Sequence, residues 1–243
     1  PGRQKRFWQP VGMAGIYDPV ANDYFFPISI GKKWLTVKKP SPKNITAEHV
    51  DYIYDKVYVA ISALQGDDYQ AIESVLDVRS FVKWYIVQEL MNNTDSSMHS
   101  SVYMSLDVGG KFKMGPVWDF DRSSGNCDYW NQEGAPDALY KSGAGWFRLL
   151  FQHKEARNML LEEWKGFYPK LSELTEVIES WGDMLYQSQH WNFVKWDILD
   201  TKVGANPYSV VRADSYEKQL DLLTDYMASR AKALDRFFKK QAS

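Results

Sequence analysis

Apolar residues recur at helical spacing in the segment bounded by Thr46 and Gly66. They share one helical face: Val50, Ile53, Tyr54, Val57, Ile61 and Leu64. Thr46 is a typical N-cap and Gly66 a typical end. Ile45 and Val50 occupy the two positions of a hydrophobic staple. The pattern therefore predicts an amphipathic helix between the two boundary residues.

The segment 77–91 is apolar on nearly every side, which is typical of a helix buried on all faces. Asp77 is placed to cap its N-terminus. Residues 92–94, two asparagines and a threonine, predict its end, so Asp95 follows just beyond the C-terminus. We therefore expect a buried central helix that presents Asp95 at one end.

Period-two alternation predicts a β-hairpin after this helix. Apolar and polar residues alternate over 101–106 and again over 111–118, and the four residues between read D-V-G-G, a typical turn. Pro116 places the second strand at a sheet edge or at its own end. Shorter β-like pieces near the N-terminus, at 24–26 and 33–38, predict a few further strands.

The chain after the hairpin is helical in pattern. A loop over 123–145 precedes predicted helices at 146–151, 154–167, 174–190 and from Ser215 onward. Residues 192–199 are expected to form a separate, short aromatic segment. Three tryptophans could stack on a sugar, but their spacing favours the core: Trp181, Trp191 and Trp196. The predicted fold class is α+β, mostly α, with residues 1–11 as a tail or loop and 12–243 as one domain.

Composition limits the classes of function. Of the 243 residues 44% are hydrophobic and 25% are charged, which supplies one sizeable core. The net charge of -2 shows no basic excess, so we do not expect nucleic acid as a partner. No apolar run approaches the ~20 residues of a membrane-spanning helix. The single cysteine, Cys127, excludes an internal disulfide framework and has no activating histidine beside it in the sequence.

Three carboxylates flank the predicted hairpin. A hairpin returns the chain to its start, so Asp95 and Asp119 can converge on one point. Asp121 would point to the same side as Asp119 in an extended segment. Carboxylates that lie close together repel one another, and a hard cation such as Mg²⁺ would relieve that repulsion. The same arrangement of carboxylates fits phosphoryl transfer. On spacing alone, aspartates that merely cap turns are the commoner interpretation.

The same stretch resembles the CotH (spore-coat protein H) kinase family. That family has a helix with S-F-x-x-Y-x-x-x-x-E-L, then an N-x-D loop, then a hairpin that ends in K-M-G-P-V-W-D-F-D-L-A-F-G-N. Here the helix motif corresponds to residues 80–90, the loop to 93–95, and the hairpin end to 113–121, which reads K-M-G-P-V-W-D-F-D. The likeness extends over about residues 12–238 and includes the helical C-terminal half.

The resemblance implies an atypical protein-kinase-like fold, built mainly from the C-terminal lobe. It implies that ATP with Mg²⁺ phosphorylates serine or threonine on a protein substrate. By position, Asp95 is similar to the catalytic aspartate of the family. The resemblance also suggests an extracytoplasmic, cell-surface or spore-coat location.

The resemblance assigns the other site residues as well. Asp119 is similar to the metal-binding aspartate, and Asp121 is a second candidate for the metal or phosphate side. Ser100 stands where family members carry Asn or Ser and is a weaker candidate for the metal cluster. Asn126 and Arg122 are implied on the cofactor side.

Two departures from the family pattern bear on activity. Asp121 is followed by Arg122, Ser123 and Ser124 in place of Leu-Ala-Phe, which puts a cation where it could touch phosphate or displace metal. The chain has no Gly-rich phosphate loop, and the strand-rich N-terminal lobe of the family is largely absent. We therefore expect the missing N-terminal lobe of the same protein as a partner, and no kinase activity from residues 1–243 alone.

Two other functions stay open. One is a non-catalytic binding or scaffold module that holds a protein or glycan on the same fold. The other is a metal-dependent hydrolase, which the motif supports less because no histidine ligand or water-activating base accompanies the aspartates. His99 lies within the motif and could move protons, but a residue at this place more commonly packs at the hairpin base.

Overall fold

The computed structural model of the chain describes residues 9–11, 15–18, 23–28, 33–41, 43–96, 101–128 and 145–241. Four N-terminal strands form one antiparallel sheet in sequence order. They are β1 (Gln9–Val11), β2 (Gly15–Asp18), β3 (Asp23–Ile28) and β4 (Lys33–Val37). The two predicted strands correspond to β3 and β4. Strand pairing starts earlier than predicted, inside the segment 1–11, because Pro10 of β1 lies opposite Ile16 of β2.

The first long helix, α1 (Ala47–Gln65), has the predicted boundaries. The Thr46 hydroxyl accepts a hydrogen bond from the His49 N–H at 3.4 Å, and His49 Nδ1 accepts one from the Thr46 N–H at 3.1 Å. Ile45 packs beside Val50 in a small apolar cluster, as the staple positions predict. These contacts fix the point where the chain leaves β4 and enters the helical part.

The sequence pattern does not predict the next helix, α2 (Tyr69–Val75). Seven residues are too few for helical periodicity to distinguish a helix from a linker. The chain beyond α2 binds the hairpin directly, because the Phe112 N–H donates to the Val75 carbonyl and the Asp77 N–H donates to the Phe112 carbonyl, each at 2.8 Å. This junction anchors the hairpin to the helical core.

The buried central helix is confirmed as α3 (Val78–Met91). Asp77 caps it, and its side chain accepts a hydrogen bond from the Ser80 N–H at 3.1 Å. Aromatic rings join α3 to the following helix, where Trp84 stacks on Phe147 with ring centroids 5.5 Å apart. The core of the molecule is built around this helix.

The predicted hairpin is present but short. β5 (Met104–Ser105) pairs antiparallel with β6 (Lys113–Met114). The turn closes with a hydrogen bond from the Gly110 N–H to the Asp107 carbonyl at 2.9 Å. The paired segment ends before Pro116, which has no N–H to donate.

Helices make up most of the C-terminal half. They are α4 (Gly145–Leu150), α5 (Lys154–Phe167), α6 (Leu174–Lys195), α7 (Tyr208–Arg212) and α8 (Tyr216–Gln241), with a 3-10 helix at Tyr168–Glu173. The long α8 packs on α3 and α5 and buries Met227, Leu234 and Phe238. The fold is therefore mostly α with small antiparallel sheets. Among the described helices, none is both long enough and apolar enough to cross a membrane.

Two predictions about α6 are wrong. Residues 192–195 continue α6, so the aromatic segment does not start a separate element at 192. The three tryptophans expected in the core are exposed, with fractions of 61%, 66% and 56% for Trp181, Trp191 and Trp196. The physical reason is that α6 packs along one side only. Gly182 is its only buried residue, and the Tyr216 hydroxyl of α8 donates to the Gly182 carbonyl at 3.0 Å.

Candidate functional site

Three carboxylates meet at the end of the hairpin. Asp95, Asp119 and Asp121 each offer one oxygen atom, and the three atoms lie within 4.8 Å of one another. Asp95 is half-buried, and the other two side chains are exposed. The structure thus brings together the aspartates that the hairpin geometry predicted to converge.

The end of α3 sets the position of Asp95. Asn92 adopts a left-handed conformation (φ 48°), a common way for a helix to end. The chain then makes a short 3-10 helix, Thr94–Ser96, that carries Asp95 at its centre. Because α3 is rigid and buried, the carboxylate is presented from a fixed base.

Asn93 is fully buried and connects the segment that carries Asp95 to the segment that carries Asp119. Its Nδ2 donates a hydrogen bond to the Asp119 carbonyl at 3.0 Å, and its Oδ1 accepts one from the Asp95 N–H at 3.1 Å. One amide side chain therefore holds the backbone at both aspartates. This contact sets the distance between residues that are far apart in sequence.

Asp119 lies in an unusual backbone conformation, with φ 64°. Aspartate tolerates the left-handed region better than most residues, and such conformations cluster at functional sites. The Ser101 hydroxyl donates to Asp119 Oδ2 at 2.6 Å and orients the carboxylate. Together, the turn at Asp119 and the hydrogen bond from Ser101 orient the Asp119 carboxylate toward Asp95 and Asp121.

Backbone contacts hold the loop that carries Asp121. The Asp121 carbonyl accepts a hydrogen bond from Asn126 Nδ2 at 3.0 Å, and Asn126 Oδ1 accepts one from Asn206 Nδ2 at 2.7 Å. On the other side, the Arg122 carbonyl accepts from the Thr94 hydroxyl at 2.7 Å. The loop is therefore hydrogen-bonded both to the segment that carries Asp95 and to the C-terminal half of the chain.

Side chains of α8 hold the end of α3 next to Asp95. Arg230 and Glu89 form an ion pair with an N···O distance of 2.8 Å, and both side chains are fully buried. Arg230 Nε also donates to the Glu89 carbonyl at 2.8 Å, two residues before α3 ends. One turn away, Asn92 Nδ2 donates to the Tyr226 hydroxyl at 2.8 Å. The end of α3 that presents Asp95 is thereby fixed to α8.

A groove of about 620 Å³ borders Asp121, between its loop and α8. Its α8 wall includes the apolar side chains of Leu220, Leu223 and Tyr226. Gly125 adjoins this wall at φ 83°, and a Cβ there would come within 2.8 Å of the Tyr226 ring. Asp121, one of the three carboxylates, therefore borders a space that could receive an organic ligand or a peptide segment.

The other predicted site residues have mixed outcomes. The Asn126 amide is engaged at both its nitrogen and its oxygen by protein atoms, and Arg122 has a half-buried side chain and a bonded carbonyl. Their assignment to the cofactor stays a prediction. Ser100 and His99 lie outside the described residues. Cys127 is fully buried, as expected of a packing thiol.

Three supporting contacts escape sequence reasoning. The N-x-D motif marks Asn93 but not its bond to Asp119. Nothing in the sequence singles out Ser101, or connects Asn206 to Asn126 across 80 residues. These contacts depend on the tertiary arrangement of loops, which spacing along the chain does not reveal.

The donor atoms of the cluster fit a hard divalent cation. All three donors are carboxylate oxygens, the ligands that Mg²⁺ prefers, and two of the side chains are exposed, so a hydrated ion can reach them. Three negative charges within this distance repel one another, and a bound cation would relieve the repulsion. By its donor chemistry, the cluster is therefore a candidate magnesium site.

Comparison with known proteins gives one match. The family model described as CotH kinase protein matches residues 21–234. No curated protein and no solved structure matches the chain. The matched region covers most of the chain and contains all three aspartates, the hairpin and about three quarters of α8. The chain belongs to the CotH kinase protein family.

Proposed function

We propose that this protein transfers the terminal phosphoryl group of ATP, with Mg²⁺, to serine or threonine hydroxyls of a protein substrate. The observation that carries the proposal is the three-carboxylate cluster, with Asp95 and Asp119 bridged by Asn93. Membership of the CotH kinase protein family supports a kinase-like reaction. The cluster is consistent with phosphoryl transfer, which uses one carboxylate as a base for the acceptor hydroxyl and others to hold the metal.

In the proposed mechanism Asp95 accepts the proton of the substrate hydroxyl. Its position on a fixed 3-10 helix suits a base that must meet the hydroxyl in one orientation. Asp119, oriented by Ser101, and Asp121 would hold Mg²⁺. A bound Mg²⁺ supplies positive charge next to the phosphate oxygens.

The remaining assigned residues act around this centre. Arg122 follows Asp121 directly, and its guanidinium is proposed to contact phosphate oxygens. The Asn126 amide donates a hydrogen bond to the Asp121 carbonyl and so holds the loop that carries Asp121. Asn126 is also proposed to contact the cofactor directly. Ser100, which stands where the family carries Asn or Ser, is proposed as a further oxygen ligand of the metal.

The test is transfer of labelled phosphate from ATP by the intact protein, meaning residues 1–243 together with the N-terminal lobe that the resemblance leads us to expect, with mass spectrometry to locate the modified residue. Residues 1–243 alone are expected to show no transfer. We expect Mg²⁺-dependent labelling of serine or threonine in wild type. Asp95→Asn and Asp119→Asn should each reduce the rate at least a hundredfold, because each removes a group used in the reaction. Asp55→Asn, at an exposed aspartate of α1, is the matched control and should label normally.

A non-catalytic binding module is the second candidate. The observation that favours it is the set of exposed aromatic side chains on and just after α6, which offer a contact surface without any chemistry. Absence of both phosphate transfer and nucleotide binding in the intact protein would favour this candidate. Labelling that Asp119→Asn leaves unchanged would refute the proposed role of the cluster.

A further inference from the structure

α6 carries a stripe of large apolar side chains that the described part of the chain leaves uncovered. We call this set the α6 stripe: Val177, Trp181, Met184, Leu185 and Trp191. Their exposed fractions run from 47% for Val177 and Leu185 to 71% for Met184. Contiguous apolar surface of this kind marks an interaction site in a water-exposed protein.

The stripe lies away from the side that α6 uses for packing. At about 100° per residue, Gly182 is turned about 100° from Trp181 and about 160° from Met184. Gly182 faces α8, because a Cβ there would come within 2.5 Å of Leu220 Cδ1. Val177, Trp181, Met184 and Trp191 therefore face away from the helix that holds α6 in place. Leu185, about 60° from Gly182, lies at the edge of the packed side.

The spacing of the stripe is that of a helix–helix seam. Val177, Trp181, Met184, Ser188, Trp191 and Lys195 follow one another at intervals of four, three, four, three and four residues. Such intervals keep one edge of a helix in contact with a second helix along its length. A partner helix is therefore the occupant that the pattern favours over a small ligand.

We propose that the α6 stripe is the interface of a homodimer in which two copies of α6 pack antiparallel. The sequence is self-complementary about Tyr186. In that register Met184 lies opposite the small Ser188 of the second copy, and each Trp181 lies opposite a Trp191. A large side chain then meets a small one at the centre, and an aromatic pair lies at each end. Each contact occurs twice with the two copies exchanged, as a two-fold interface requires.

The distribution of charge favours the antiparallel arrangement. The N-terminal half of α6 carries Glu176, Glu179 and Asp183, whereas the C-terminal half carries His190 and Lys195. Glu179 and Asp183 point away from the stripe, so only the charges beside it bear on the pairing. An antiparallel pair places Glu176 of each copy near Lys195 of the other and opposes the two helix dipoles. A parallel pair would align the two dipoles.

The available area is enough for a dimer of moderate affinity. α6 has 22 residues and is about 33 Å long. Two tryptophans at this exposure contribute on the order of 300 Å² per copy, and the aliphatic members about 200 Å² more. The total of roughly 1,000 Å² lies at the lower bound for a specific interface, so we expect a micromolar dissociation constant.

Sedimentation of the full chain tests the proposal. Wild type should shift with concentration from 28.2 kDa toward twice that mass. Trp181→Glu should remain monomeric at all concentrations, with an unchanged far-ultraviolet circular dichroism spectrum. Tyr58→Glu is the matched control, because Tyr58 is 63% exposed but lies on α1, and it should dimerise like wild type.

Crosslinking tests the orientation without relying on the charged variant. Met184→Cys and Ser188→Cys chains, distinguished by a tag, should form mixed disulfide dimers in excess of like-with-like dimers; the native Cys127 is buried. A monomeric wild type at 100 µM would overturn the proposal. So would a dimer that Trp181→Glu leaves intact, or crosslinks that favour identical positions, whatever other protein or glycan the stripe then proved to bind.

Discussion

Asn93 determines the geometry of the carboxylate cluster more directly than any single aspartate does. Its buried amide donates to the backbone at Asp119 and accepts from the backbone at Asp95. Thr94 adds a second link between the same two segments, because its hydroxyl donates to the Arg122 carbonyl. Asn93 is the side chain that contacts the backbone of both aspartates.

Asn93→Ala should damage both stability and activity. The change leaves polar backbone groups unpaired in the interior, and we expect a loss of about 1–3 kcal/mol in the free energy of unfolding. Phosphate transfer should fall at least tenfold, because the two aspartates lose their common support. Denaturant unfolding and labelling with ATP measure the two effects, with the exposed Asn158→Ala as control. Full activity in Asn93→Ala would contradict the bridging role.

The ion pair between Glu89 and Arg230 gives a second prediction at this scale. Both side chains are fully buried, so removing one partner leaves an uncompensated charge in the core. Arg230→Leu should cost about 3–5 kcal/mol of unfolding free energy, whereas the double change with Glu89→Leu should cost clearly less. Urea unfolding of the two variants provides the comparison. A double variant as unstable as Arg230→Leu would show that packing, not charge, dominates at this position.

The sequence predicts that the aspartates converge, but it does not predict the contacts that hold them. Asp95 and Asp119 could be placed together because a hairpin must return the chain to its start. The bond from Ser101 to Asp119 arises from two left-handed backbone positions, and no local pattern encodes it. The link between Asn126 and Asn206 needs the fold of the C-terminal half. Residue types can be predicted from motifs, but hydrogen-bond partners follow from tertiary structure.

At the scale of elements, helices with strong caps could be predicted to the residue. Thr46 and Asp77 satisfy backbone N–H groups at the starts of α1 and α3, and both helices begin directly after them. α2 escaped prediction because it is only seven residues long. The tryptophans of α6 were misplaced because helical spacing identifies an apolar side without showing what covers it.

Two helical glycines give different predictions for the same change. A Cβ at Gly166 of α5 would meet nothing within 4 Å, whereas at Gly182 of α6 it would lie 2.5 Å from Leu220 Cδ1. Gly166→Ala should therefore raise the free energy of unfolding by about 0.5–1 kcal/mol through helix propensity. Gly182→Ala should raise it less, because the new methyl group must displace the end of the Leu220 side chain on α8. Equal gains in thermal unfolding would show that α6 is not held closely to α8.

At the scale of the whole molecule, the site is assembled from elements that are distant in sequence. α3 presents Asp95, the hairpin returns Asp119 and Asp121 to it, and α8 fixes the end of α3 through Arg230. The α6 stripe lies on another helix and makes none of these contacts. We therefore expect Asp119→Asn to abolish the proposed phosphate transfer without affecting the proposed dimer, and Trp181→Glu to have the converse effect.

Nucleotide binding to the carboxylate cluster is the central claim, and thermal unfolding of the intact protein with ATP tests it most directly. In the presence of Mg²⁺, ATP should raise the Tm, and the Tm should continue to rise with the logarithm of the ATP concentration once that concentration exceeds the Kd. Chelation of Mg²⁺ should abolish the shift, and so should Asp119→Asn, while Asp55→Asn should retain it. No shift at millimolar Mg²⁺ and ATP, or an equal shift in Asp119→Asn, would contradict the account.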